Sequence, residues 1–240
     1  MSLLIKYATR GRAEWFMRAI TNILSTMQTE EYIILVTADL DDPTMNNPFI
    51  QEFCSAHNQV VINYGTSSSK IDAINRDMHL AVELDWDIVV NMSDDMFFKV
   101  RGWDNVIRQR VKDTWGDSRD WFAHFNDGYT KDLLPTMSIM GRGYYERDGY
   151  IYHPDYRSFS CDAEAMYVAM MRGRHRYFPE LLFLHQHPSN SPVGNDETYR
   201  TNSLHTPHDT RVYFERLKRY FDEPQGHEIL KARPELKPYL

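Results

Sequence analysis

The chain has 240 residues, of which 42% are hydrophobic and 25% are charged, and its formal net charge is −7. This length allows one large α/β domain or two small ones with a substantial core, and the negative charge argues against general nucleic-acid binding. Cys54 and Cys161 lack the spacing of a disulfide framework or zinc ribbon, which is compatible with a reducing cytosol. The chain start lacks signal-peptide features and no run reaches a membrane-span length, so a soluble cytoplasmic protein is expected.

Strands and helices alternate over the first hundred residues. Strands are predicted at Leu3–Ala8, Tyr32–Ala38, Val60–Tyr64 and the apolar run Asp87–Val90, and helices at Ala13–Met27, Phe49–His57 and Ser69–Glu83. The last of these helices has Ser69 as its predicted N-cap. Its predicted inward-facing residues are Ile71, Ile74, Met78 and Val82. This alternation predicts right-handed βαβ units and a parallel sheet.

The pattern is less regular after residue 100. Helices are predicted at Trp103–Val111, Asp162–Met171 and Val212–Phe221, and strands at Trp121–Phe125, at Thr136–Met140 and at the end of Arg176–Gln186. A stretch rich in glycine and tyrosine occupies Gly141–Tyr152. The segment Pro188–Asn202 is rich in Pro, Ser, Asn and Gly without periodicity, and it is predicted to be a mobile loop.

Two adjacent carboxylates, Asp94 and Asp95, follow the apolar run Asp87–Val90. Side chains at consecutive strand positions point to opposite faces, so both cannot simply point outward. Mg²⁺ and Mn²⁺ prefer carboxylate oxygen and commonly complete their coordination shell with substrate phosphate. The pattern therefore favours a site for a divalent metal and a diphosphate, with a solvated Asp-Asp turn as the alternative.

The loop after the first predicted strand carries a glycine between two arginines. Gly11 permits a tight turn, while Arg10 and Arg12 add positive charge next to the free amides of a helix start. The loop has neither the Gly-x-Gly-x-x-Gly nor the Walker pattern, which disfavours a dinucleotide or P-loop site. An anion-binding loop and an ordinary basic turn both fit these residues.

Three further polar residues lie where an open α/β sheet binds its ligands. Asp39 closes the second predicted strand, where it either accepts hydrogen bonds from a ribose or base or caps a turn before Pro43. Lys70 is either a ligand of a diphosphate or a solvent-facing helical lysine. Asn75 has poor helix propensity, which favours a role in a site.

Two histidines and two acids complete the candidates. His185 and His187 are two apart at the end of a predicted strand, so both rings lie on one face and either can join the carboxylates at a Mn²⁺ site. Asp162 and Glu164 open a predicted helix, where acids commonly interact with the helix dipole. Either one is alternatively a general base that deprotonates an acceptor hydroxyl.

These motifs occur in the order seen in GT-A fold glycosyltransferases, and the chain resembles a compact, family-2-like member of that superfamily. The motifs are, in chain order, Thr9-Arg10-Gly11-Arg12, Asp39, Lys70 with Asn75, Ser93-Asp94-Asp95, Asp162/Glu164 and His185/His187. The resemblance covers roughly residues 3–188. It implies an α/β three-layer sandwich with a Rossmann-like, mostly parallel central sheet. The catalytic domain would span residues 1–222, with a nucleotide-sugar half at about 1–100 and an acceptor and metal half at about 101–222, before a tail at 223–240.

The resemblance also implies an activity and roles. Mn²⁺ or Mg²⁺ would assist transfer of a sugar from a nucleotide sugar, with a UDP-sugar favoured, to an unknown hydroxyl acceptor on a glycan, lipid, protein or modified base. The metal ligands would be Asp95 with His187, slightly favoured, or His185. The donor-binding residues would be Thr9, Arg10, Arg12, Asp39, Lys70, Asn75 and Asp94. Asp162 or Glu164 would be the base of an inverting reaction, and Pro188–Asn202 would close over the donor, with Asp196 ordering that loop or contacting the acceptor.

Other classes of protein remain as alternatives. A nucleotidyltransferase shares such a sheet and metal site but normally has a Gly-rich loop after the first strand and a following Pro-Lys element, which are missing here. A metal-dependent nuclease or phosphatase usually has more acids and a basic surface. A non-catalytic protein that binds sugars or nucleotides on the same scaffold is also consistent, because Ser93 replaces the first acid of an Asp-x-Asp motif.

Overall fold

A computed structural model describes residues 1–81, 84–187, 196–224 and 228. The predictions for Val82, Glu83, residues 188–195 of the loop and most of the tail fall outside these residues. The strands are β1 (Leu3–Thr9), β2 (Tyr32–Asp39), β3 (Val60–Gly65), β4 (Ile88–Met92), β5 (Met96–Phe98), β6 (Phe122–Asn126), β7 (Ile139–Gly141), β8 (His175–Leu181) and β9 (Phe183–His185). The helices are α1 (Ala13–Thr26), α2 (Pro48–Ser55), α3 (Lys70–Asn75), α4 (Trp103–Trp115), α5 (Arg142–Asp148), α6 (Cys161–Met171), α7 (Glu197–Ser203) and α8 (Thr206–Leu217), with 3₁₀ turns at Met78–Ala81 and Tyr220–Asp222.

Seven strands form the central sheet in the order β3-β2-β1-β4-β7-β6-β8. β1 pairs in parallel with β2 and β4, and β2 pairs in parallel with β3. β7 is antiparallel to both neighbours, β4 and β6, so β6 and its parallel partner β8 run in the direction of β4. The predicted α/β fold with a mostly parallel sheet is therefore confirmed.

Helices cover both faces of this sheet. Phe16 of α1, Ile50 of α2 and Trp103 of α4 are buried in the core on one face. Ile71 of α3 and Cys161 of α6 are buried in the core on the other face, to which α5 and α8 also contribute. Because both faces are covered, the strands read as nearly continuous apolar runs rather than as alternating ones. None of the described helices is long and apolar enough to cross a membrane.

The strand register brings the ends of the first strands to one edge of the sheet. Thr9, at the end of β1, lies opposite Ala38, and Asp39, at the end of β2, lies opposite Gly65. β4 ends at Met92 on the other side of β1. The polar segments that follow these strands are therefore gathered at the edge where open α/β sheets bind their ligands.

The predicted helix over Ser69–Glu83 is wrong in its length. α3 ends at Asn75, and Asp77 takes a left-handed conformation with φ at 70°. The Asp77 carboxylate accepts hydrogen bonds from the side chains of Thr37 and Asn63, at 2.6 and 2.7 Å. These contacts with neighbouring strands stabilise the break in the helix, which local propensity does not reveal.

Other segments also differ from the predictions, and the last helix, predicted at Val212–Phe221, is α8 at Thr206–Leu217. Arg176–Gln186 divides into β8 and β9, which belong to separate sheets, because β9 pairs with the unpredicted strand β5 and sets His185 opposite Met96. The stretch Gly141–Tyr152 contains α5. Residues 196–202, the described part of the predicted loop, contribute to α7. The N-cap of this helix is Asp196, which accepts a hydrogen bond from the Tyr199 amide at 2.8 Å.

Candidate functional site

Asp94 lies beyond β4, beside the end of β1, and it is 4% exposed. Its Oδ2 accepts a hydrogen bond from the Thr9 hydroxyl at 3.2 Å, and its buried Oδ1 has no hydrogen-bond partner among the described residues. Burial raises the pKa of Asp94 from 3.8 to about 7, although the charge of Arg12 lowers it. Buried polar atoms normally have partners, so this oxygen has the capacity to accept a ligand hydroxyl or to bind a cation.

Asp95 is buried next to Asp94 and faces a histidine. Its Oδ1 accepts a hydrogen bond from the Ser93 hydroxyl at 2.5 Å and lies 3.5 Å from His185 Nε2. The Asp95 carbonyl accepts the Gln186 amide at 2.8 Å, which holds β9 against this acid. Burial raises the pKa of Asp95, but the hydrogen bond and charge of His185, followed by Ser93, outweigh it and lower the pKa well below its usual range.

The two histidines lie side by side at the end of β9. The His187 ring is 5.3 Å from the His185 ring and 5.1 Å from the Tyr199 ring. Burial and the neighbouring His185 lower the pKa of His187. His185 is the histidine whose Nε2 lies 3.5 Å from Asp95, whereas the sequence motif slightly favours His187.

Asp95 and His185 offer an oxygen and a nitrogen ligand, a combination compatible with Mn²⁺. Among the described residues, no group of three or more His, Cys, Asp or Glu side chains is arranged to hold a metal ion. Mg²⁺ sites often use only one or two carboxylates and complete the shell with substrate phosphates and water. With the unpartnered Asp94 Oδ1 alongside, these residues fit a metal that is bound jointly by the protein and a phosphate-bearing ligand.

Asp162 and Lys70 lie at the starts of two helices near this acidic cluster. Lys70 is the exposed first residue of α3, and Asp162 is the second residue of α6. One Asp162 oxygen accepts the Ala163 amide at 2.9 Å. Burial raises the pKa of Asp162, while this amide and the charges of Lys70 and His185 lower it. The charge of Lys70 also acts on Asp95, so these side chains share one electrostatic environment.

Glu164, the other candidate base, is buried between α6 and α8. Its two oxygens accept three hydrogen bonds from the Arg216 guanidinium at 2.8 to 3.0 Å. A fourth comes from the Tyr156 hydroxyl at 2.7 Å. These contacts occupy the carboxylate and point it into the core.

Asn75 also makes contacts within the protein. Its Oδ1 accepts the amides of Ile151 and Tyr152 at 3.0 and 3.2 Å, and its Nδ2 donates to the Tyr152 carbonyl at 2.7 Å. Asn75 therefore fastens the end of α3 to the backbone of residues 151–152.

Asp39 lies between two arginines at the end of β2. Its Oδ2 accepts a hydrogen bond from Arg10 at 2.9 Å, and its Oδ1 accepts one from Arg76 at 3.2 Å. Arg76 is held by the Ala38 carbonyl as well, at 2.8 Å. Arg10 is half exposed and also binds the exposed Asp41. The exposed ion pair between Arg10 and Asp41 contributes only about 0–1 kcal/mol, whereas the Asp39 side chain, which Arg10 also contacts, is 9% exposed.

The loop between β1 and α1 is held by acids from distant parts of the chain. The Gly11 amide donates to Asp42 at 2.7 Å. Arg12 donates to both oxygens of Asp196, at 2.6 and 2.8 Å, and lies 3.9 Å from Asp95. Asp196 thus joins the start of α7 to the loop that carries the site arginines.

The sequence motifs missed Asp42 and Arg76. Arg76 follows Asn75 directly, and this proximity to a candidate is the only sequence signal for it. The contact between Asp42 and Gly11 spans 31 residues and depends on the folded turn after β2, so no local pattern indicates it.

No family model matches the sequence, and no curated protein matches it. Among solved structures, the mannosyltransferase PcManGT from Pyrobaculum calidifontis, in complex with GDP-Man and Mn²⁺, is similar with a TM-score of 0.65 and 13% identity over 96% of this chain and 74% of that chain. S. aureus TarS 1–349 has a TM-score of 0.58 and 14% identity over 100% and 77% of the two chains. Its complex with UDP-GlcNAc has a TM-score of 0.57 and 12% identity over 100% and 78%. This likeness establishes the GT-A fold that the motifs predict.

Proposed function

We propose that this chain is a metal-dependent glycosyltransferase that moves a sugar from a nucleoside diphosphate sugar to an acceptor hydroxyl with inversion. The observation that supports the proposal is the presence, at one sheet edge, of Asp39 and of the pair Asp95 and His185, with Asp162 near enough for the charge of His185 to act on its pKa. The similar structures contain GDP-Man with Mn²⁺ or UDP-GlcNAc, which supports a nucleotide sugar as the ligand of this edge.

The donor would extend along the ends of β2, β1 and β4, in the half of the domain at about residues 1–100. Asp39 would accept hydrogen bonds from the nucleoside after Arg10 moves away from it. Asp94, with one oxygen bound by Thr9 and the other unpartnered, would bind a hydroxyl of the ribose or sugar. Arg12 and Lys70 would contribute positive charge near the diphosphate, where cations stabilise phosphate oxygens.

Asp95 and His185 would hold Mn²⁺ or Mg²⁺ together with the donor diphosphate. When bound, such a metal offsets the negative charge that develops on the leaving nucleoside diphosphate. Lys70 would contribute in the same direction, because its positive charge already acts on Asp95 beside the proposed metal site.

Asp162 would accept the proton of the acceptor hydroxyl. It is only partly buried, and among the described residues the hydrogen bonds to its carboxylate come from backbone amides, whereas Glu164 is occupied by the side chains of Arg216 and Tyr156. Burial raises the pKa of Asp162, and a carboxylate with a raised pKa is a stronger base towards a hydroxyl proton. The acceptor half of the domain would then be residues 101–222.

A thermal-shift experiment tests the donor site. We expect one nucleotide among UDP, GDP, TDP and CMP to raise the melting temperature in the presence of Mn²⁺, because a ligand at 100 times its Kd stabilises by about 2.7 kcal/mol. Asp95→Asn should abolish the metal-dependent shift. The control is Asp113→Asn, on the exposed surface of α4, which should retain it.

Hydrolysis of the matching sugar nucleotide then separates an enzyme from a binding protein. We expect Mn²⁺-dependent release of the nucleoside diphosphate in the wild type and its loss in Asp162→Asn. A metal-dependent shift without any turnover would favour the non-catalytic alternative. If no nucleotide shifts the wild type, the donor site described above is refuted.

A further inference from the structure

Asp209 of α8 is 0% exposed and makes an unusual set of backbone contacts. Its carboxylate accepts hydrogen bonds from three consecutive amides, those of Arg157, Ser158 and Phe159, at 2.9, 2.9 and 2.8 Å. Burial raises the pKa of Asp209, but these amides and the side chain of His208 outweigh it and lower the pKa. Asp209 is therefore an ionised anchor for residues 157–159.

The anchored segment leads directly into α6. Phe159 is followed by Ser160, which has a φ of 63°, a left-handed conformation that is unfavourable for a residue with a side chain. α6 then begins at Cys161, and Asp162 is its second residue. Because a strained backbone persists only where its surroundings hold it, the contacts of Asp209 help to fix the direction in which α6 starts.

The same segment is bonded to the start of α3. The Arg157 carbonyl accepts the amide of Ile71 at 3.1 Å, and Ile71 directly follows Lys70. At the other end of α3, Asn75 makes its three hydrogen bonds with residues 151–152. The start of α3 is thus attached to the segment that Asp209 anchors, and its end is attached to residues 151–152, which precede that segment.

We propose that Asp209 is a positioning residue that sets the distance between Lys70 and Asp162. The proposal rests on the proposed function, which gives Lys70 the leaving group and Asp162 the acceptor proton. No hydrogen bond among the described residues joins Asp209 to either side chain, so it acts through the backbone of residues 157–159. An inverting displacement needs the leaving-group cation and the base on opposite sides of one carbon atom. Their spacing therefore affects the rate directly.

Asp209→Asn tests this role with little change in size. It replaces one acceptor oxygen with an NH₂ group that faces backbone donors, so part of the three-amide contact is lost. Asp104→Asn is the matched control. Asp104 is equally buried and accepts the amides of Gln28 and Thr29, both at 3.2 Å, at the start of α4. Those amides follow α1 and precede β2, at the sheet edge away from the site.

The first readout is steady-state hydrolysis, with Mn²⁺, of the sugar nucleotide that matches the nucleotide selected by the thermal-shift screen. For Asp209→Asn we expect kcat to fall by about 100-fold, the effect of a misplacement of about 1 Å. KM should stay close to the wild-type value, because no contact between described residues joins Asp39 or Asp95 to residues 157–159. Asp104→Asn should lose thermal stability with little change in kcat. Equal kcat values for the two variants, or a rise in KM alone, would overturn the proposal.

Hydrogen exchange gives a second readout that does not depend on turnover. Asp209→Asn should accelerate amide exchange both in residues 157–163 and in residues 70–75, whereas Asp104→Asn should accelerate neither. Acceleration confined to residues 157–159 would refute the coupling. If the wild type hydrolyses no sugar nucleotide, the proposed function fails, and the exchange data alone decide whether Asp209 couples the two helices. Should Asp209→Asn not fold, Asp209→Glu keeps the charge, displaces it by one methylene and should give the same changes with smaller size.

Discussion

Asp162 and Glu164 are two residues apart in α6. Replacing the first by an amide is expected to reduce the reaction rate, and replacing the second is expected to reduce stability. Asp162→Asn removes the proposed general base, a group that contributes about 10²–10⁴-fold to a rate, or roughly 3–5 kcal/mol of activation free energy. Burial raises the pKa of Asp162 in the folded protein, so the ionised form is disfavoured there relative to the unfolded chain. A neutral Asn should therefore leave the melting temperature at pH 7 unchanged or slightly raised.

Glu164→Gln should mainly reduce stability. The side chains of Glu164 and Arg216 are 4% and 7% exposed, and the Arg216 guanidinium makes three hydrogen bonds with the carboxylate. Removing one partner of a buried ion pair costs about 3–5 kcal/mol, because the other charge stays buried. For a domain of this size each kcal/mol lowers the melting temperature by about 2–4 °C, which gives a decrease of roughly 6–20 °C.

Thermal melts and initial rates of sugar-nucleotide hydrolysis on the two variants measure both effects. Arg216→Gln and the double variant complete a double-mutant cycle, and the coupling energy should lie near the upper end of the range of about 0.5–3 kcal/mol. The reasoning is refuted if Glu164→Gln has no activity at a temperature where it is folded. It is equally refuted if Asp162→Asn turns over at the wild-type rate.

Three further predictions concern pH, the loop after β1 and α7. Burial lowers the pKa of His124 from 6.5 to about 4, so the unfolded chain binds a proton that the folded chain excludes. The free energy of unfolding should therefore decrease by up to about 3 kcal/mol as the pH falls from 6.5 to about 4. Thermal melts of His124→Phe at each pH should show a shallower decrease than the wild type, and equal slopes would contradict this prediction. Gly11→Ala should lower the melting temperature and weaken nucleotide binding in calorimetric titrations, because φ is 69° and the added Cβ would lie 2.9 Å from Thr198 Oγ1; unchanged binding would show that this turn does not shape the site. Asp196→Asn should weaken both hydrogen bonds from Arg12 and accelerate hydrogen exchange in residues 197–203. Unchanged exchange there would show that α7 is held by other contacts.

The sequence predicts the first half of the fold well because its apolar periods are long and regular. β1, α1 and β2 each end within a residue of the predicted boundary. The prediction fails where distant contacts decide the conformation. The side chains of Thr37 and Asn63 hold Asp77 in its left-handed conformation and end α3 early. A three-residue strand such as β5 contains too short a pattern to be recognised.

The gathering of these polar side chains could be predicted, because the carboxyl ends of parallel strands meet at one edge of the sheet. The contacts that each side chain makes could not be predicted. Asn75 and Glu164 are polar residues at the expected places, but their partners Tyr152 and Arg216 lie 77 and 52 residues further along the chain. A motif gives the residue type and its approximate position, whereas its hydrogen-bond partners are known only from the fold.

Whether the carboxylate oxygens already have hydrogen-bond partners therefore distinguishes ligand-binding acids from structural acids better than residue type does. The carboxylates of Glu164 and Asp209 are saturated by an arginine or by backbone amides, and binding a ligand there would first break those contacts and leave buried donors unpaired. Each such loss costs about 1–3 kcal/mol. Asp94 has a buried oxygen without a described partner at hydrogen-bond distance, and only the neighbouring Tyr7 hydroxyl and Thr9 act on this carboxylate as hydrogen-bond donors to lower its pKa, so a ligand there displaces fewer contacts than at Glu164 or Asp209. For this reason we propose Asp94 as a donor ligand, and Glu164 and Asp209 as residues that hold α6 in place.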